Sequence, residues 1–259
     1  MSDLSFRLVK GHRQNTETYY CAVSEDDYEK IESNINLLKR LSAVENNTIS
    51  VYDMNRKNYL LKSPNFKRTL GYINPEDIEN DDMDLFHKLI HPDDLYFVLE
   101  TENKAFAFFG GLLPSEKKNY KLVYDFRVKN TSGIYMRFIH QLTVLEQDRL
   151  GKTWLLLIVT DLISEKALES SPQRRMININ TGKLYLFKDE DDFQTDTLLT
   201  KRESQVLKLL SQGLDSRDIS ERLFISVNTV NNHRQKILNK TKSENTTQAI
   251  FYAKKIGII

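Results

Sequence analysis

The residues best suited to chemistry by type and spacing lie close together near one end of this 259-residue chain: Asn228, Thr229, Asn231, Asn232, His233, Arg234, Gln235, Lys236, Asn239 and Lys240. On a 3.6-residue period Asn228, Asn231, Asn232, Gln235 and Asn239 fall on one stripe, with Arg234, Lys236 and Lys240 beside it and His233 at its margin. Amide side chains can bond two atoms of an adenine edge in the major groove, and Lys and Arg neutralise the flanking phosphates. Thr229, with the start of the helix that would carry it, suits a phosphate. A merely solvated face would not favour this composition. Asn is a poor helix former, and four Asn in twelve residues cost roughly 1–2 kcal/mol relative to Glu, Lys or Gln.

Other constellations are weak. No paired carboxylates, Gly-rich phosphate loop or Ser/Cys–His arrangement stands at readable spacing, so no catalytic residue and no enzyme activity is expected. One cysteine, Cys21, excludes an intrachain disulfide and multi-cysteine metal sites. His91-Pro92-Asp93-Asp94 reads as a helix start, with Pro at an early position and acids near the positive end, rather than as a metal cluster. We expect no metal and no cofactor. Haem would need an axial ligand such as His87 or His140. Phe86, Phe108, Phe109, Tyr124, Phe126, Phe138 and Trp154 could line a pocket for a small apolar or aromatic ligand, although aromatics in a small sheet domain more often form core.

Two features of the whole chain frame these residues. With 40% apolar and 28% charged residues the composition is that of a soluble globular protein. The longest apolar run, Trp154–Val159, is far below the ~20 residues of a membrane helix, and the N-terminus carries no secretory pattern; a reduced, cytoplasmic location is expected. The formal charge of +1 is unevenly spread. From Thr197 to Ile259 seven Lys and four Arg meet five acids, a local +6 that leaves −5 elsewhere, an asymmetry suited to a nucleic-acid-binding module.

The elements follow from periodicity. Glu25–Glu45 has apolar residues at steps of three and four (Tyr28, Ile31, Ile35, Leu38, Leu41) and reads as an amphipathic helix. Thr48–Asp53 and Asn58–Lys62 read as a hairpin. Short helical pieces are expected around 66–70 and 84–89, then a longer helix from His91 to about Phe109, stopped by Gly110-Gly111. Strands at Tyr120–Val128, Ile134–Leu145 and Thr153–Leu162 complete a five-stranded antiparallel sheet with helices on one face. Alternation in the first of these predicts a face open to water. The third is apolar on both sides, so its second face needs cover, from the 25–45 helix or from a second copy of the chain. Residues 170–196 read as a linker with a small hairpin turning at Asn180-Thr-Gly182 and an acidic solvated loop at 189–192.

The last 63 residues predict four helices. Thr200-Lys-Arg-Glu203 fits a capping box, with Leu199, Val206, Leu207 and Leu210 on one face and Gly213 ending the first helix. Ser216 caps the second, and Ser226 caps a third that runs to about Lys240 with Val230, Ile237 and Thr241 inward. A fourth spans about Thr246–Lys255. Two short helices across a tight turn, the second long and polar outside, form a helix-turn-helix.

At this point a family resemblance is legible. Leu199-Thr-x-Arg-Glu203, Gly213, Ile225-Ser-Val-Asn-Thr-Val-Asn-Asn-His233 and Lys240 resemble the LuxR/NarL-type DNA-binding domain. The resemblance implies a four-helix domain at 197–259 that binds double-stranded DNA, usually as a dimer. It places Asn231, Asn232 and Gln235 toward the groove. Thr241, Thr246 and Ser220 depart from the family pattern. More loosely, residues 48–169 resemble a PAS domain, through Asn65-Phe, Leu70-Gly-Tyr72, Ile90-His-Pro-Asp-Asp94, Tyr124-Asp-Phe-Arg127, Gly133-Ile-Tyr-Met-Arg137 and the closing Asp161-Leu-Ile-Ser-Glu-Lys166. That implies a sensor or dimerisation module, preceded by a segment at 1–47. The expected fold class is α+β, a PAS-like sheet domain plus an all-α helix-turn-helix domain, and the expected function is a transcriptional regulator; a protein-interaction adaptor using the helical end is the alternative.

Overall fold

A computed structural model describes residues 18–45, 48–72, 87–164, 171–181, 183–187, 193–196, 199–241, 243–256 and 258–259. Phe86, the helical piece before residue 87, Glu165-Lys166, Gly182, the acidic run 189–192 and Gly257 lie outside them. The chain divides into two compact units, Met1–Met176 and Ile177–Ile259.

In the first unit α1 spans Glu25–Glu45, β1 Thr48–Asp53, β2 Asn58–Lys62, α2 Asn65–Thr69, α3 Pro92–Gly111, α4 Pro114–Lys117, β3 Tyr120–Lys129, β4 Tyr135–Gln147 and β5 Thr153–Ser164, and β6 spans Arg174–Asn178 across the boundary. The strands lie in the order β2-β1-β5-β4-β3-β6. The five expected strands are therefore joined by a sixth from the stretch expected to be linker. β1 pairs antiparallel with β2 and β5, and β4 with β3 and β5.

Neighbouring residues of a strand point to opposite faces, and the two faces are covered differently. On one, Tyr28, Ile31, Ile35 and Leu38 of α1 pack against Val51, Leu61, Trp154 and Leu157. Here the chain itself supplies the cover that the doubly apolar β5 needs. On the other, Tyr52, Met54 and Ile158 pack with Phe106 of α3. The helices thus divide between the faces, with α1 giving the second face the cover expected of the 25–45 helix and α3 packing on the opposite one.

Two further expectations are corrected. The alternation of β3 predicted a wet face, yet Val123 and Asp125 are buried; Asp125 lies among Arg137, Gln173 and Arg175. Gly110 and Gly111 do not stop α3. They are its last helical residues, and the chain leaves at Leu112 in an extended conformation two residues before Pro114. The start of α3 is as expected: His91 Nδ1 accepts from the Asp93 N–H at 3.2 Å, and Pro92 takes an early position where its missing N–H costs nothing. Asp94, fully buried, accepts from the Arg127 backbone N–H at 2.9 Å and from its guanidinium at 2.9 and 2.6 Å. The His-Pro-Asp-Asp segment is fastened to β3 by these bonds.

The second unit contains the hairpin strands β7 (Leu184–Phe187) and β8 (Phe193–Asp196), then α5 Lys201–Ser211, α6 Ser216–Leu223, α7 Val227–Thr241 and α8 Thr246–Ile256. Asn178 N–H donates to Lys183 O at 2.9 Å, closing the turn before β7. Among the described residues no helix is long and apolar enough to cross a membrane.

Candidate nucleic-acid interface and sensor cavity

The four helices of the second unit are set by local signals. Thr200 caps α5: its hydroxyl accepts from the Glu203 N–H at 3.2 Å, and Glu203 Oε2 accepts from the Thr200 N–H at 2.7 Å. Gly213, at φ +88°, takes the left-handed conformation that ends α5 at no steric cost. The cap of α6 is Asp215, not Ser216: Asp215 Oδ1 accepts from the Arg217 and Asp218 N–H groups at 2.7 and 2.9 Å. Asp outcompetes the adjacent Ser because its charge also complements the helix dipole. Ser226 caps α7, its Oγ accepting from the Thr229 N–H at 3.1 Å. Leu199, Val206, Leu207, Ile219, Val230, Ile237, Ala249 and Ala253 form one core. Phe224, between α6 and α7, is left-handed at φ +53° and 94% exposed.

That core fixes the outward face of α7. Asn228, Asn231, Asn232, Gln235, Lys236 and Asn239 are exposed; Thr229, His233, Arg234 and Lys240 are half-buried. The stripe expected from sequence is therefore presented to solvent in its unit. Its members differ in what they already hold. Asn231 Oδ1 accepts from the Ser216 hydroxyl at 3.0 Å, and Ser216 accepts from Arg234 Nη1 at 2.9 Å. Arg234 Nη2 also donates to Thr246 Oγ1 at 3.2 Å. Arg234 thereby links α6, α7 and α8. Gln235 Nε2 donates to Asn239 Oδ1 at 3.3 Å.

Lys240 lies differently from the phosphate-facing cation of the sequence reading. Its Nζ sits 2.7 Å from Glu203 Oε2, whose side chain is 3% exposed. Burial pushes the Glu203 carboxyl up, but Lys240 and the Thr200 cap together outweigh this and hold it below the usual range. Lys240 therefore balances the charge of the α5 capping box. Thr241 is buried and its hydroxyl donates to Ile237 O at 2.8 Å, so its polar atom is satisfied inside the helix.

In the first unit a cavity of about 160 Å³ lies between α3 and the sheet. Of the expected lining, Phe109 and Tyr124 are on its wall, joined by Tyr19, Tyr52, Tyr59, Phe106 and His140. Phe126, Phe138 and Trp154 are not on it. Phe126 and Phe138 face each other in register and are fully buried, with Phe66 edge-on to Phe138 at 5.2 Å, so this end of the sheet is filled. Trp154 is on the α1 face, edge-on to Tyr28 at 5.0 Å. Phe108 packs edge-on to Tyr120 at 5.1 Å.

Among the cavity's polar groups, Glu102 and Asn103 come from α3 and His140 from β4. Glu102 Oε1 accepts from the Tyr124 hydroxyl at 3.0 Å. Asn103 Oδ1 is buried with no hydrogen-bond partner. His140 lies beside Thr160 and is stacked on Tyr124 at 5.2 Å. Burial pushes its pKa down to about 4 against the opposing pull of Glu102, so the ring is neutral near pH 7. Lys117, a cation in the cavity lining, is buried and donates to Gly151 O at 2.9 Å. Sequence missed Tyr19 because residues 1–24 show no period. It missed Asn103 because one amide on an amphipathic helix carries no pattern.

The model for "Bacterial regulatory proteins, luxR family" matches residues 197–253. Over 68 residues the chain is 38% identical to the spore germination protein GerE of Bacillus subtilis, covering 26% of this chain and 92% of GerE. The chain belongs to the luxR family. It is also 43% identical over 60 residues, 23% of its length, to the uncharacterized transcriptional regulatory protein YxjL of Bacillus subtilis. It spans only 28% of YxjL and 33% of the oxygen regulatory protein NreC of Staphylococcus haemolyticus. Among solved structures, that of the phage VqmA–DPO complex aligns over 89% of this chain and 91% of its own, with a TM-score of 0.35 and 16% identity.

Proposed function

We propose that this luxR-family protein is a sequence-specific, double-stranded-DNA-binding transcriptional regulator, acting as a homodimer and without catalysis. Residues 197–259 are its DNA-binding domain, residues 48–169 its PAS-like sensor, and residues 170–196 the connection. The observation that carries the reading is the exposed stripe Asn228, Asn231, Asn232 and Gln235 on a helix held outward by a closed apolar core, flanked by Lys236. Such side chains read base edges, and Thr229 at the capped start of α7 is placed for a phosphate. His233 and Arg234 border the stripe, Arg234 fixing its tilt through Ser216 and Thr246.

The cavity supports a sensing role. At about 160 Å³ it matches the space that accommodates a benzene-sized molecule. Its aromatic wall, neutral His140 and Asn103 Oδ1 favour an uncharged single-ring ligand that donates a hydrogen bond. The deciding experiment selects duplexes from random DNA with the full protein and measures binding against salt. Affinity falls steeply with salt as counterions are released, and Gln235→Ala relaxes preference at one base position by about 1–3 kcal/mol. A flat salt response, or an equal loss on every sequence, rejects this assignment.

A further inference from the structure

The first unit ends at Met176, and the residues just before it are gripped on both faces of β6. On the α3 side, Arg174 Nη1 is 2.5 Å from Glu100 Oε2 and 3.2 Å from Thr101 Oγ1, with its side chain 7% exposed. Its guanidinium lies 5.1 Å from the centre of the Phe97 ring. On the opposite face Arg175 is buried and donates to Gln173 Oε1 at 2.6 Å. The backbone is fastened as well. Asp125 N–H donates to Gln173 O at 3.0 Å, Gln173 N–H donates to Asp125 Oδ1 at 2.8 Å, and Arg137 donates both to that carboxylate at 2.7 Å and to Ser171 O at 3.1 Å.

The helix that holds Arg174 also walls the cavity. Glu100 and Thr101 are followed directly by Glu102 and Asn103, which line it, and then by Ala105, Phe106 and Phe109. One helical turn therefore faces the cavity with two residues and the exit strand with two others. Asn103 Oδ1, buried and without a partner, gives an occupant a direct hold on that turn. Charge-assisted pairs at low exposure depend sharply on geometry, and packed interfaces switch between discrete arrangements rather than deforming smoothly.

We propose that the Glu100–Thr101–Arg174 clasp is the output latch of the cavity: an occupant pressing on the Glu100–Asn103 turn changes the hold on β6, the strand through which the chain passes into the DNA-binding unit. The proposal rests on the sensor reading of the cavity, and its test needs no DNA. Ala105→Leu extends a side chain from α3 into the cavity and stands in for an occupant. Hydrogen exchange is followed on the full chain for the amides of residues 171–178. The expected result is a change of about tenfold or more in their exchange, abolished when Glu100→Gln is combined with it. Asn103→Leu, which adds apolar bulk at the same wall, gives the same readout if Ala105→Leu does not fold. Exchange at 171–178 that is unchanged while α3 itself responds overturns the latch, and so does a response that survives Glu100→Gln undiminished. Because the readout is free of DNA, loss of the regulator reading would show separately, as absent duplex binding with the exchange response intact.

Discussion

At the scale of single residues, cations on one helix have different tasks. Lys236 is exposed on α7, whereas Lys240 neutralises Glu203 in the first turn of α5. We expect Lys236→Gln to reduce the slope of log affinity against log salt by about one. Lys240→Gln should lower the thermal midpoint and leave that slope unchanged, because it strands a nearly buried carboxylate; equal slopes for the two variants would contradict the distinction. His140 gives a pH prediction. Its folded pKa of about 4 lies below the ordinary 6.5, so the unfolded chain takes up a proton first as pH falls. Stability is full above about pH 6.5 and is lost on descent toward pH 4, by up to about 3 kcal/mol for this group alone. Urea midpoints at pH 7 and pH 5, compared between the native chain and His140→Gln, measure it. A midpoint difference that is the same in both proteins removes His140 as the cause. The amide stripe was legible because residue type and period coincide. The Lys240 pair was not, because its partner stands 37 positions away and a lysine has the same letter in either role.

At the scale of elements, capping chemistry was the most readable layer. The Thr200–Glu203 box is formed as its spacing predicts, and Thr200→Ala is expected to cost about 1 kcal/mol, read as a lower urea midpoint of the helical unit. No loss there would mean that α5 begins without its cap. Elsewhere neighbours competed for a role that sequence cannot assign. Asp215 takes the cap expected of Ser216 and leaves that hydroxyl to Asn231 and Arg234. β1 and β2 were visible as a hairpin, β3 from its alternation, β4 and β5 as strand-like runs between turns, β5 apolar on both sides, and α1 from its stripe. β6 was legible only from Met176 onward, as the first strand of the hairpin expected to turn at Asn180-Thr-Gly182. Its start was hidden because Arg174 and Arg175, typical of a solvated linker, are instead buried, Arg174 against Glu100 and Arg175 near Asp125. The cavity was only partly readable for a related reason. Phe126, Phe138 and Trp154 share composition with the true wall, but register and face decide which aromatics fill space and which enclose it.

At the scale of the whole molecule, charge and period together divide the chain. Residues 197–259 carry the basic excess and a closed apolar core, and the luxR-family match spans nearly all of GerE, 92% of its length. We therefore expect a fragment of residues 197–259 to fold by itself, with cooperative thermal unfolding by circular dichroism, and to bind duplex DNA more weakly than the full chain. A non-cooperative fragment would place essential packing outside it. The only tryptophan, Trp154, is seated beneath α1 in the other unit. Its fluorescence is thus a built-in label confined to the first unit, and an operator-induced change in that emission would be a message delivered from the other unit.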